Sequence, residues 1–159
     1  MRSVSGCRIE SFLVVVGLND VPTTTQRVCH ISLERPDSVS TIDSTPAWVD
    51  DGAPCVMGNT LYAVGIGRAC NELWKWNAAS DWTRCADMTS CRQWHCAAVV
   101  DSTLYTLGGQ DDYLIVLSSV EAYNTQTNKW SAAGQLTHAV WQAACVSYNN
   151  SMIHLRVWW

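Results

Sequence analysis

Short apolar runs recur along the chain, each closed by glycine. Leu104-Tyr105-Thr106-Leu107 ends at Gly108-Gly109. Leu61-Tyr62-Ala63-Val64 ends at Gly65, forty-three residues earlier, and Leu13-Val14-Val15-Val16 ends at Gly17, forty-eight residues before that. A fourth copy begins at Ile153, forty-nine residues after Leu104. Apolar runs this short, bounded by turn residues, predict strands rather than helices. Self-similarity at a period of roughly 40–50 residues predicts a repeat architecture.

The best-formed unit covers residues 91–140. It opens with Arg92-Gln93-Trp94-His95 and the apolar strand Cys96 to Val100, then turns at Asp101-Ser102. Leu104 to Leu107 follow as the second strand, Gln110-Asp111-Asp112-Tyr113 as a polar loop, and Val120 to Tyr123 as an alternating third strand. Asn124 to Asn128 read as a turn, and Lys129-Trp130 begin the fourth strand. Four short strands joined by turns describe one propeller blade. Residues 49–90 repeat the scheme, with Trp76 in the place of Tyr123 and Trp82 in the place of Trp130. Residues 8–48 form a weaker unit and 141–159 an incomplete one. The expected fold is therefore all-β: a partial propeller of about three four-stranded blades plus the start of another.

Composition narrows the class. Hydrophobic residues make up 48% of the 159 positions and charged residues 15%, which is a folding chain and not a disordered one. Net charge is −4 and the ten Lys and Arg are scattered, so no nucleic-acid footprint is expected. The longest apolar run, Phe12 to Leu18, is far below the roughly 20 residues of a spanning helix, so no membrane contact is expected. Glu10 just before it and the lack of a clean cleavage site argue for a buried strand over a signal peptide. None of the eight cysteines forms C-x-x-C or has zinc-ligand spacing. They read as reduced thiols of a cytoplasmic protein, with a disulfide framework as the alternative. Cys96 and Cys145 share the forty-nine-residue offset and are read as equivalent repeat positions. Neither G-x-S-x-G nor a histidine cluster is present, so no enzyme, metal or cofactor is expected.

The pattern Leu-Tyr-x-x-Gly-Gly, then an aromatic with an Asn-led turn, then Trp, then Arg before the next strand, resembles the kelch repeat. Leu61, Tyr62, Gly65, Gly67, Trp76, Trp82, Arg92, Leu104, Tyr105, Gly108, Gly109, Tyr123 and Trp130 carry the likeness, strongest from Leu61 to Trp130. The chain departs from it with Gly17-Leu18 in the first copy, Gly65-Ile66-Gly67 in the second, and Trp141 where the next Arg is expected. Val157-Trp158-Trp159 stands at the fourth glycine pair.

The resemblance implies roles for these positions. Gly108 and Gly109 set backbone shape at a strand end, since glycine tolerates positive φ. Trp82 and Trp130 pack between sheets, and Arg92 holds neighbouring blades through loop carbonyls. Loops after the glycine pair and after the Arg form the partner-binding face, which here means Arg68, Trp94, Gln110, Asp111 and Asp112; solvated turn residues are the alternative reading. Asp111-Asp112 would attract a basic peptide, while Arg68 and Trp94 would anchor one.

At the level of the whole protein, likeness to kelch-like proteins implies the substrate-recognition propeller of a cullin-3 ubiquitin ligase adaptor. Cullin-3 would be held by a BTB domain absent from this chain. An actin-binding kelch scaffold, a copper oxidase on a propeller, and a truncated product without independent function are the alternatives. Kelch-like propellers resemble closed rings of six blades, so the chain is expected to be a fragment of a longer protein.

Overall fold

Thirteen strands are described, and no helix among the described residues. The computed structural model describes residues 52–67, 69–77 and 79–148 in full, and the backbone of the strands outside them. These strands are β1 (Ser11–Val16), β2 (Arg27–Ser32), β3 (Val39–Ser44), β4 (Ala53–Met57), β5 (Thr60–Ile66), β6 (Glu72–Asn77) and β7 (Ser80–Arg84). They continue with β8 (Cys96–Val100), β9 (Thr103–Leu107), β10 (Ser119–Asn124), β11 (Lys129–Gln135), β12 (Ala144–Tyr148) and β13 (Ser151–Leu155). The chain divides into two units, Met1–Thr45 and Pro46–Trp159.

The first unit holds the antiparallel sheet β1-β2-β3, with Val14 opposite Cys29 and a bulge between Val28 and Cys29. Its Leu13 run is the one that forms the second strand of the later units. β1 to β3 thus fill the second to fourth places of a blade, and the first place has no counterpart among the described residues. Gly17-Leu18 and Val157 to Trp159 lie outside the described residues.

In the second unit two complete four-stranded antiparallel sheets follow in chain order, β4-β5-β6-β7 and β8-β9-β10-β11, and then the hairpin β12-β13. Leu61 pairs with Trp76 and Leu104 with Tyr123, so the two aromatics do hold the same place in their blades. Among the described residues, two of the three predicted four-stranded blades show all four strands.

The period-two alternation of each strand decides how the blades pack. In the first blade Cys55 pairs with Tyr62, and Val64 lies on the same face; in the second, Val99 pairs with Leu104. Tyr62, Val64, Leu73, Cys85 and Met88 of the first blade meet Leu104 and Tyr123 of the second in one apolar cluster. Cys55, Met57, Ala97, Val99 and Trp130 pack around it. Each fully buried Leu or Val there contributes about 1.5–3 kcal/mol.

Aromatic contacts continue the seam outward. Tyr62 and Tyr123 meet edge to face at 6.4 Å, and Tyr123 lies 5.2 Å from Trp130. At the rim Trp130 Nε1 donates to the Ala86 carbonyl at 2.8 Å, and the Ala86 N–H donates to Asn128 Oδ1 at 2.8 Å. Trp130 therefore ties the fourth strand of one blade to the exit of the preceding blade. Trp82 Nε1 is buried with no partner among the described residues.

One equivalence read from the sequence is corrected. Val100 pairs with Thr103 and Tyr148 with Ser151. The hairpins therefore stand forty-eight residues apart, not forty-nine. Met152, not Ile153, takes the place of Leu104; Cys145 takes the place of Ala97; and Val140, not Trp141, takes the place of Arg92.

Candidate protein-recognition face at the blade ends

Glycines shape the ends of the second strands. Gly65 (φ +70°) interrupts β5 at a bulge, and Gly108 (φ +62°) and Gly109 (φ +90°) close β9. These turns admit close neighbours. A Cβ on Gly65 would stand 2.3 Å from His95 Cε1, and one on Gly109 would stand 2.7 Å from the Gln93 carbonyl oxygen. The segment leading into β8 thus threads between the glycine turns of two successive blades.

Arg92 anchors that segment from below. Its side chain is fully buried and makes a 2.9 Å ion pair with Glu121 on β10. The same guanidinium donates to the carbonyls of Gly108 and Ser119, both at 2.9 Å, and to Ser119 Oγ at 2.7 Å. All these side-chain bonds stay within its own blade. The link to the preceding blade is the Arg92 backbone N–H, which donates to the Cys70 carbonyl at 2.9 Å. Burial pushes the Glu121 carboxyl upward, but bonds from the Thr89 hydroxyl and N–H and the Arg92 pair outweigh it and hold it below the ordinary carboxylate value.

His95 sits beside this pair. Its Nδ1 lies 3.0 Å from the Arg92 carbonyl oxygen, an acceptor, so Nδ1 carries the proton and donates. Nε2 is buried with no partner among the described residues. Burial and the Arg92 charge lower the imidazole from 6.5 to about 4. Because the unfolded chain binds this proton more readily, stability at His95 is intact above pH 6.5 and is lost as pH falls toward 4. The full swing is about 3 kcal/mol. We expect urea melts between pH 7 and pH 4 to lose stability across that window, and His95→Gln to flatten the loss; an unchanged pH profile in the variant would show that another group drives it.

Above Arg92 the recognition positions come together. Gln93 and Gln110 exchange backbone hydrogen bonds, both at 2.8 Å, and Gln110 also bridges to Val116. Trp94 has φ +52° and packs on Trp141 at 5.6 Å between ring centroids, while its carbonyl accepts from the Gln142 N–H. Asp111 organises its own loop: Oδ1 accepts the N–H groups of Tyr113 at 3.0 Å and Ile115 at 2.8 Å. Asp111 is thus committed to the loop, whereas Asp112 is exposed. Burial, the Cys70 thiol and then the Asp112 and Asp111 carboxylates raise the Cys91 thiol to about 12, which places the acidic pair near Cys91. Arg68 lies outside the described residues.

Two features of this face were not read from the sequence. One is Trp141, 45% exposed, which joins Trp94 from the lead into β12. The other is the apolar tip Tyr113-Leu114-Ile115, of which Tyr113 is 78% exposed. Its signal was available, because Tyr113 to Leu117 is an apolar run outside the alternating pattern and is directly preceded by two aspartates.

Glycine-closed second strands, a buried residue before each complete sheet's successor (Arg92, then Val140) and consecutive antiparallel sheets in chain order define a repeat-built β-propeller. Comparison with known proteins gives the type of repeat. A family model described as the Kelch motif matches residues 93–137. The chain is similar to Alpha-scruin of Limulus polyphemus, 41% identical over 54 residues, which is 34% of this chain and 6% of that protein. It is similar to Kelch-like protein 35 of Homo sapiens, 34% identical over 96 residues, which is 60% of this chain and 16% of that protein. The solved structure of YjhT aligns with a TM-score of 0.62 at 21% identity, over 71% of this chain and 35% of that one, and shows the fold. The chain carries kelch repeats, and its sheets are blades of a kelch propeller. No helix among the described residues is long and apolar enough to cross a membrane.

Proposed function

We propose that the blade-end face built by Trp94, Trp141, Gln110 and the loop of Asp111 and Asp112 binds a protein or peptide partner. The observation that carries this is the contact of partly buried Trp94 with exposed Trp141 beside a loop tied down by the Asp111 carboxylate. Aromatic anchors on a rigid support are where binding energy concentrates. Exposed Asp112 favours a basic segment, with Arg68 as a further contact. In the whole protein this propeller would hold the target of a cullin-3 ubiquitin ligase, with cullin-3 on a BTB domain outside this chain. Similarity to Kelch-like protein 35 supports that role.

The test is an array of synthetic peptides of graded charge presented to the 159-residue chain. Basic peptides with an apolar residue are expected to bind, Asp112→Lys to abolish the charge preference, and Trp94→Ala to weaken binding about 10- to 30-fold. Equal retention of acidic and basic peptides by the native chain, or binding unchanged in both variants, would overturn the reading. Co-sedimentation with filamentous actin, unaffected by Trp94→Ala, would favour the scaffold instead.

A further inference from the structure

Cys96 and Cys145 come from different blades and meet across the seam between them. β8 and β12 run side by side as the first strands of successive sheets. The corrected offset explains why the thiols face each other. Cys96 pairs with Leu107 on one face of the second blade, whereas Cys145 takes the place of Ala97 and so lies on the opposite face of its own sheet. The first seam sets the same faces together, with Cys55 and Met57 of the first blade packed in one cluster with Ala97 and Val99 of the second. At the second seam cysteine replaces the alanine, and the facing residue is also cysteine. The two thiols are close enough that each shifts the other's ionisation.

We propose that Cys96 and Cys145 form a redox-modifiable pair, oxidised by a hydroperoxide to a disulfide that links β8 to β12 across the blade seam. The chemistry of the pair fits two successive displacements. The hydrogen bond from Cys145 lowers the Cys96 thiol below its ordinary value despite burial, and the same bond raises Cys145. Cys96 is therefore the thiolate that attacks, and Cys145 the thiol that resolves. The Cys96 sulfur attacks the terminal peroxide oxygen; an S–O bond forms, the O–O bond breaks, and the alkoxide leaves with a proton as alcohol. The Cys145 sulfur then attacks the sulfenic sulfur; the S–S bond forms, and hydroxide leaves with the Cys145 proton as water. Two thiols lose two electrons and the peroxide gains them.

Access exists on the β12 side. Cys145 is partly exposed. The bond would also bear on the recognition face. Trp94 and Trp141, whose rings meet at a tilt, stand just before Cys96 and Cys145 respectively, so a disulfide would fix the spacing of the segments that carry them.

The experiment is peroxide treatment of the native chain, alkylation of remaining thiols, tryptic digestion without reductant, and mass spectrometry. The expected product joins the peptide containing Cys96 to the one containing Cys145 with loss of two hydrogens, and dithiothreitol separates them. The oxidised chain should melt at a higher temperature than the reduced one. In Cys145→Ser the cross-link disappears, while in Cys55→Ser, which leaves both sulfurs in place, it persists. The same treatment in urea should lose the Cys96–Cys145 preference and favour Cys91, the neighbour closest to Cys96 in sequence. Full alkylation of both thiols after peroxide, or the same pairing pattern in buffer and in urea, would overturn the proposal.

Discussion

Arg92→Ala is expected to destabilise the chain by about 3–5 kcal/mol, the cost of leaving a buried partner charge uncompensated. Arg92 and Glu121 are both essentially inaccessible, with side chains 1% and 4% exposed. Removing the guanidinium also strips donors from the Gly108 and Ser119 carbonyls. Glu121 would keep only the bonds from Thr89 and would take up a proton more readily. Chemical denaturation at pH 7 reads the loss directly. Arg92→Lys should recover a minority of it, because an ammonium is a point charge that does not reproduce the guanidinium fork serving Glu121 and the two carbonyls. Arg92→Met combined with Glu121→Leu should be less damaging than Arg92→Ala alone, since no buried charge remains. A loss below about 1 kcal/mol for Arg92→Ala, the range of exposed ion pairs, would mean that water reaches this pair.

Gly108→Ala is expected to cost about 2–5 kcal/mol, from left-handed strain and overpacking together. The φ of +62° is unfavourable for any side chain, and the new methyl would lie 2.4 Å from the Val140 carbonyl oxygen. That oxygen is backbone and already accepts the Gly109 N–H at 2.8 Å, so it has little room to yield. A thermal melt should fall by roughly 4–20 °C at about 2–4 °C per kcal/mol. Gly58→Ala is the control: it has a similar φ of +58° but open space around it, so it reports the strain alone. Equal effects at the two positions would show that the clash with Val140 relaxes freely.

Much of the blade was legible because strand chemistry is local. Leu61-Tyr62 and Leu104-Tyr105 with their glycines locate the second strands, and Trp76 and Tyr123 locate the third, since pleat period and turn residues need only neighbours in sequence. The recognition loop was legible in part. Asp111 and Asp112 were read as one acidic pair, yet Asp111 turns inward to its own loop and only Asp112 is left to a partner. Nothing local separates two adjacent aspartates; the N–H groups of Tyr113 and Ile115 decide which of them is taken.

The repeat offset failed for a comparable reason. Met152 and Ile153 are both apolar, so the pattern Leu104 carries fits either one. Only the pairing of Tyr148 with Ser151 fixes the count, and with it the positions of Val140, Trp141 and Cys145. A shift of one residue moves a side chain to the other face of a strand, which turns Cys145 from a counterpart of Cys96 into its neighbour across the seam.

The sequence by itself determined that this chain is all-β, built of kelch repeats, with glycine turns and aromatic seams at fixed places, because alternation, turn chemistry and repeat spacing are written in consecutive residues. The tertiary structure alone decided what those residues face. Glu121 as the partner of Arg92, His95 between two glycine turns, Trp141 on Trp94 and Cys145 on Cys96 all join positions far apart in the chain, and such pairs are set by strand order within a sheet or by how one sheet lies on the next.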